Sequence, residues 1–141
     1  MKKNILNIPA LAASAVFLLL LASVAVAQIP EGARCAECGM KIDPNTPYVS
    51  YVVTNDGKTL YFDSIGDMLI HFLKKKGDLK EVHVKDYSTG QWIDGKKAFY
   101  VKNLKEFSGP MDWGIAAFKS QAAAGAHGKP ATFDGAFSLL N

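Results

Sequence analysis

The chain has 141 residues, a formal net charge of +3 and two cysteines. That length allows one domain or two very small ones. So mild a charge excess argues neither for nor against nucleic acid, but no basic run is long enough to track a phosphate backbone, and no nucleic-acid partner is expected.

Residues 1–27 read as an export signal. Lys2 and Lys3 supply the positive start, Leu11 to Val26 is apolar, and Ala25-Val26-Ala27 is a small-x-small cleavage site. The mature chain would begin at Gln28. The competing reading is an uncleaved membrane anchor over residues 8–27, a stretch just long enough to span a bilayer. Either way, residues 28–141 are expected in the periplasm or otherwise outside the cytoplasm.

A short linker with Pro30 and Gly32 leads to Cys35-Ala36-Glu37-Cys38-Gly39-Met40, which holds both cysteines and one of the four methionines. Soft sulfur ligands suit Cu(I), zinc or iron–sulfur centres better than magnesium or calcium. A structural disulfide between Cys35 and Cys38 is the plainer reading, although closing so small a loop removes little unfolded-state entropy. Outside the cytoplasm an unprotected pair would oxidise unless a metal or a reductant holds it.

Residues 43–47, with two prolines, are turn-rich. Residues 48–54 are β-branched and aromatic, a strand by composition. Asn55-Asp56-Gly57-Lys58 is a hairpin turn and residues 59–62 the returning strand. Asp63 or Ser64 caps a helix whose apolar face is Ile65, Met68, Leu69, Phe72 and Leu73, ending at Gly77 after three lysines. Residues 81–85 alternate as a third strand.

A second unit of the same order is expected: strands at 98–101 and 115–118, an alanine-rich helix over 119–126, and a last strand at 131–133. The fold class is therefore α+β, two ββαβ units in tandem (28–87 and 88–141). Units this small are marginal alone and should share a core, with Trp92 and Phe99 in it. Between strands of the second unit, the loop 108–113 carries an isolated Met111 on a Gly-Pro turn. It is either a functional loop residue or a filler tucked beneath the loop.

Several pieces together resemble the NosL family of periplasmic copper chaperones, which serve nitrous oxide reductase assembly. They are Cys38-Gly39-Met40, Tyr61-Phe62-Asp63-Ser64-Ile65-Gly66-Asp67-Met68, Trp92-Ile93-Asp94 followed by Ala98-Phe99-Tyr100-Val101, Pro110-Met111, and Ala116-Ala117-Phe118. The resemblance implies a fold related to organomercurial lyase, one Cu(I) bound through sulfur, and the ligands Cys38, Met40 and Met111. It also implies a non-enzymatic role in denitrification and a copper-acceptor partner; the chain itself is expected as a monomer or weak dimer. The chain departs from many relatives in lacking a lipid-attachment cysteine. Its additional Cys35 either supplies a second thiolate or pairs with Cys38.

A site of one thiolate and two thioethers suits a carrier. Thiolate binds Cu(I) strongly, whereas thioether binds more weakly and carries no charge, so the ion can leave by ligand exchange. With Met111 in the set, the site sits where the two units meet, and Trp113 either shields the metal or is an ordinary core aromatic. His71, His83 and His127 have no partner at zinc-ligand spacing and read as structural, His127 being the best outside candidate. Asp63, Asp67, Asp86 and Asp94 have ordinary explanations as caps, turn formers and exposed charges. The alternative is a thiol–disulfide oxidoreductase using Cys35 and Cys38, although its pair should open a helix. Carbon–mercury cleavage would need Cys35 and Cys38 reduced, with Asp63 as the acid.

Overall fold

The computed structural model describes residues 28–141; the expected export signal or anchor over 1–27 lies outside the described residues. Among the described residues no helix is long and apolar enough to cross a membrane.

The β-branched and aromatic run forms β1 (Ser50–Thr54), and the turn at Gly57, where φ is +84°, returns the chain as β2 (Thr59–Phe62). Ser64 caps α1 (Ile65–Phe72), its hydroxyl accepting from the Asp67 amide at 3.1 Å. The helix stops before the three lysines. Leu73 N–H turns back to the Ile70 carbonyl and Lys75 N–H to that of Phe72, because beyond Phe72 the exposed lysines have no apolar face to bury. Gly77 lies in a following short 3-10 turn, tied to the hairpin: Asn55 donates to the Gly77 carbonyl from its side chain and to that of Asp78 from its backbone.

β3 (Leu79–Lys85) starts two residues earlier than expected and pairs with β1, its register shifting between Val53 and Thr54. β4 (Trp92–Asp94), not foreseen as a strand, pairs with β3. The sheet is antiparallel in the order β2-β1-β3-β4.

β5 (Phe99–Lys102) and β6 (Ile115–Phe118) form a separate antiparallel pair, followed by α2 (Gln121–Gly125) under a Ser120 cap. The strand expected at 131–133 is absent. Ala131 makes one bridge with Tyr100, and the Thr132 hydroxyl then accepts from Gly135 N–H and starts α3 (Phe133–Ala136). A cap at Thr132 turns the backbone into a helix where a strand would need it extended.

β6 joins the halves. All four of its residues are buried. Ile115 and Ala117 face the larger cluster with Val52, Ile65, Met68 and Leu69, while Ala116 and Phe118 face a smaller one with Tyr48, Val101 and Phe107. This is the two-residue period of a strand covered on both sides. Trp92 packs on the first cluster and Phe99 on the second, so the two serve different cores. Asp86, 3% exposed, accepts from Lys119 N–H at 3.0 Å and from the Thr89 hydroxyl at 2.7 Å, while Tyr87 N–H donates to the Ala117 carbonyl.

Candidate metal centre

The cysteines lie in a loop that folds on itself and docks on the free edge of β2. Cys35 N–H donates to the Met40 carbonyl, Gly39 N–H to that of Cys35, and Ala36 N–H to that of Tyr61. Gly39 takes φ +75°, a conformation that glycine adopts without penalty. Glu37 reaches across to α1, its carboxylate 2.7 Å from His71 Nδ1.

Docking on β2 sets both thiols beside the N-terminal end of α1. Cys35 Sγ donates to Asp67 Oδ2 at 3.3 Å, and Cys38 Sγ donates to Asp63 Oδ2 at 3.4 Å. One ligand atom from each of Cys35, Cys38, Asp63 and Asp67 fits in a group whose members all lie within 4.8 Å of one another. Cys35, Asp63 and Asp67 are buried, Cys38 is half-buried, and the cysteines are not joined in a disulfide. Trp113 arrives from the turn before β6 and donates its indole N–H to Asp67 Oδ1 at 2.7 Å.

Burial raises the pKa of the Cys35 thiol and pushes that of Cys38 up to about 12. Without metal, both are neutral thiols near pH 7, hydrogen-bonded to carboxylates. A dithiol built for exchange has a lowered pKa, often at a helix N-terminus, and offers an accessible thiolate; Cys35, at 3% exposed, offers neither feature.

Of the expected ligands, Cys38 stands in the cluster. Met40 is 50% exposed and Met111 53% exposed, so Met111 is no filler under its loop. Met111 has φ +60° and Asp112 φ +52°. For residues other than glycine, each such left-handed conformation costs roughly 1–2 kcal/mol. Cys35 stands beside Cys38. The carbon–mercury reading's three groups, Cys35, Cys38 and Asp63, also come together. Asp63 facing the thiols was anticipated only in the carbon–mercury reading, and Asp67 as its companion went unrecognised among helix caps. Their signal was two acids bracketing a cap, at Asp63-Ser64 and Asp67, but only the fold turns both towards sulfur.

Among the described residues, the histidines stand outside the thiol–carboxylate group. His71 pairs with Glu37, His83 stacks on Tyr51 with ring centres 4.3 Å apart, and His127 pairs with Glu106 while stacking on Phe118 at 4.8 Å.

A model of the NosL family matches residues 26–132. The chain belongs to the NosL family. Its fold is similar to the crystal structure of the copper chaperone NosL from Shewanella denitrificans, at 26% identity and a TM-score of 0.66, over 75% of this chain and 90% of that one. No curated protein matches the chain. The matched NosL region takes in the thiol–carboxylate cluster, Met40, Met111 and Trp113.

Proposed function

We propose that the chain is a non-enzymatic, extracytoplasmic metallochaperone that binds one Cu(I) through Cys38, Met40 and Met111 and passes it to a copper-acceptor protein. Cys35 stands ready as a second thiolate. The observation that carries this reading is the half-buried Cys38 thiol, two residues before the solvent-facing thioether of Met40. The solved relative described as a copper chaperone supports the same cargo.

The chemistry follows from the donor types. Copper(I) takes few soft ligands, and the site offers soft atoms at graded strength. An exposed thioether can meet an incoming ion before the buried thiol does, and can hold it again as the acceptor's ligands arrive. Cys38 must lose its proton when the metal binds, whereas the methionines bind independently of proton concentration. Trp113, from the same turn as Met111, hydrogen-bonds Asp67 and so ties that turn to the cysteine side.

The acceptor we infer is the nitrous oxide reductase assembly system, on the strength of the motifs that align the chain with NosL. Export by residues 1–27 would place the carrier in the compartment where that enzyme matures.

The deciding experiment is an anaerobic Cu(I) titration of the reduced protein against a competing chelator, with X-ray absorption on the same sample. One tightly bound Cu(I) with sulfur alone in its coordination shell is expected. Tight binding retained by Cys38→Ser would refute the site.

A further inference from the structure

Among the described residues, β4 is the one sheet edge that nothing covers. The cysteine loop lies on the edge of β2, where Ala36 N–H meets the Tyr61 carbonyl. Ala131 exchanges backbone hydrogen bonds with Tyr100 on β5, each at 2.8 Å, and Tyr87 N–H reaches the Ala117 carbonyl on β6. β4 pairs with β3 alone. Gln91 and Gly95 turn their backbone towards β3: Asp86 N–H donates to the Gln91 carbonyl, and Gly95 N–H to that of Val82. Antiparallel pairing alternates, so Trp92 and Asp94 turn theirs outward. Lys97 N–H takes the Asp94 carbonyl at 3.1 Å. The N–H and C=O of Trp92 and the N–H of Asp94 stay open, a template for a further strand.

Beside this edge lies an open groove of about 410 Å³, lined by Trp92, Ile93, Asp94, Lys97, Ala98 and Lys119. Trp92, Ile93 and Ala98 make one wall apolar. The charge of the groove is unbalanced. Asp94 is already engaged, with Oδ2 3.9 Å from Lys97 Nζ and Oδ1 accepting from Lys96 N–H at 2.9 Å. Lys119 is exposed and forms no ion pair among the described residues. Lys85 adds a third ammonium, 5.6 Å from the centre of the Trp92 ring.

We propose that the outer edge of β4 is a docking site for an extended, acidic segment of a partner protein, which joins the four-stranded sheet as a fifth strand. Backbone pairing at Trp92 and Asp94 sets its register, alternate side chains lie against the apolar wall, and carboxylates meet Lys97 and Lys119. β2 and β4 stand at opposite edges, three strand spacings or ~14 Å apart. A partner held at β4 therefore leaves the cysteine loop uncovered. This inference goes beyond the copper reading and does not depend on it.

The test is titration of the isotope-labelled, reduced protein with an acetylated and amidated peptide that alternates glutamate with valine, read by amide NMR shifts. We expect saturable shifts at Trp92, Asp94, Lys97 and Lys119, with slowed exchange of the Trp92 and Asp94 amides. A lysine–valine peptide should bind at least about tenfold more weakly. A fully N-methylated glutamate–valine peptide has no N–H to pair and should not bind. Lys97→Glu combined with Lys119→Glu should reverse the preference between the two charged peptides; both side chains are exposed, so the fold stays intact. No saturable shift at millimolar peptide, shifts confined to other surfaces, or equal binding of any two of the three peptides overturns the proposal. So do shifts at β4 that follow protein concentration without peptide, because a second copy then occupies the edge. Cu(I) affinity, measured by chelator competition, should be the same with and without the peptide. A fall in that affinity would place the peptide on the cysteine loop and overturn the assignment to β4. Failure of the peptide to bind with Cu(I) binding intact would remove this surface and leave the chaperone standing; the opposite outcome would remove the chaperone and leave this surface.

Discussion

Trp113 occupies the space that a side chain at residue 66 would need. A methyl group on Gly66 would lie 2.0 Å from Cγ of the indole, far inside contact distance. The helix therefore carries a glycine in its first turn, at a propensity cost of about 1 kcal/mol against alanine, so that the indole can lie over it and reach Asp67.

Gly66→Ala should consequently destabilise the protein. Overpacking costs typically ~1–3 kcal/mol, set against the small gain in helix propensity. Displacing the indole should also break its bond to Asp67. Urea denaturation, with Trp113 fluorescence followed in a Trp92→Phe background, measures both effects. Unchanged stability and emission would show that the indole does not need this seat.

Met111 lends itself to a paired substitution. Met111→Gly removes the thioether and relieves a left-handed backbone, so the variant should gain about 1 kcal/mol of stability while losing roughly tenfold in Cu(I) affinity, or ~1.4 kcal/mol. Met111→Ala should lose the affinity without the gain. Thermal denaturation and chelator competition on both variants separate strain kept for function from an ordinary loop conformation. Equal Cu(I) affinity in all three proteins would take Met111 out of the site.

Much of this is legible in the amino-acid sequence. β-branched and aromatic composition on either side of a hairpin turn marked β1 and β2, and the i, i+3, i+4 spacing marked the apolar face of α1, because each is a local signal. The sulfur cluster stood out because soft donors are rare and here fall together. What escaped shares a cause: it depends on distant residues. β4 has three residues, and pairing with β3 makes it a strand where composition could not. Ala131-Thr132-Phe133 has β-forming residues, but Thr132 acts as a cap. Asp63 and Asp67 looked like helix-start acids, which they are; their second role needs the loop at residues 35–40 to dock on β2. Glycine at position 66 was the available hint of a close approach there.

At high pH the buried phenols should weaken the fold. Tyr100 is fully buried, donates its hydroxyl to the Gly95 carbonyl at 2.6 Å, and has its pKa raised far above the usual value by burial. Burial also raises Tyr48 and Tyr51. A raised pKa in the folded state means that the unfolded chain releases its proton first, so stability is full below about pH 10 and falls as pH rises beyond it. Tyr100 alone should contribute a slope of ~1.4 kcal/mol per pH unit there. Tyr100→Phe should cost about 1 kcal/mol at pH 7 through the lost hydrogen bond and flatten the alkaline limb. Urea midpoints from pH 7 to beyond the tyrosine range test it, and an equally steep limb in Tyr100→Phe would rule out this assignment.

Asp86 should matter more than its place in a turn suggests. Asp86→Ala removes acceptors for Lys119 N–H and the Thr89 hydroxyl, a loss of about 1.5–3 kcal/mol for bonds to a charged group. Asp86→Asn should recover part of it, since its carbonyl oxygen can serve one donor. Denaturant midpoints for the pair measure the difference, and wild-type stability in Asp86→Ala would show the turn to be dispensable.

β6 has no solvent-facing side. Neither apolar cluster can come apart without uncovering the other face of the same four residues, and the Asp86 turn fastens that strand to the end of β3. The halves of the chain should therefore melt as one cooperative unit. Amide exchange at Ala116 and Ala117 should proceed only through global opening, at the slowest rates in the molecule. Any ion held beside α1 would then tighten the smaller cluster around Phe107 as firmly as its own surroundings, so the amides of β5 and β6 should slow on metal loading although none of them touches the metal.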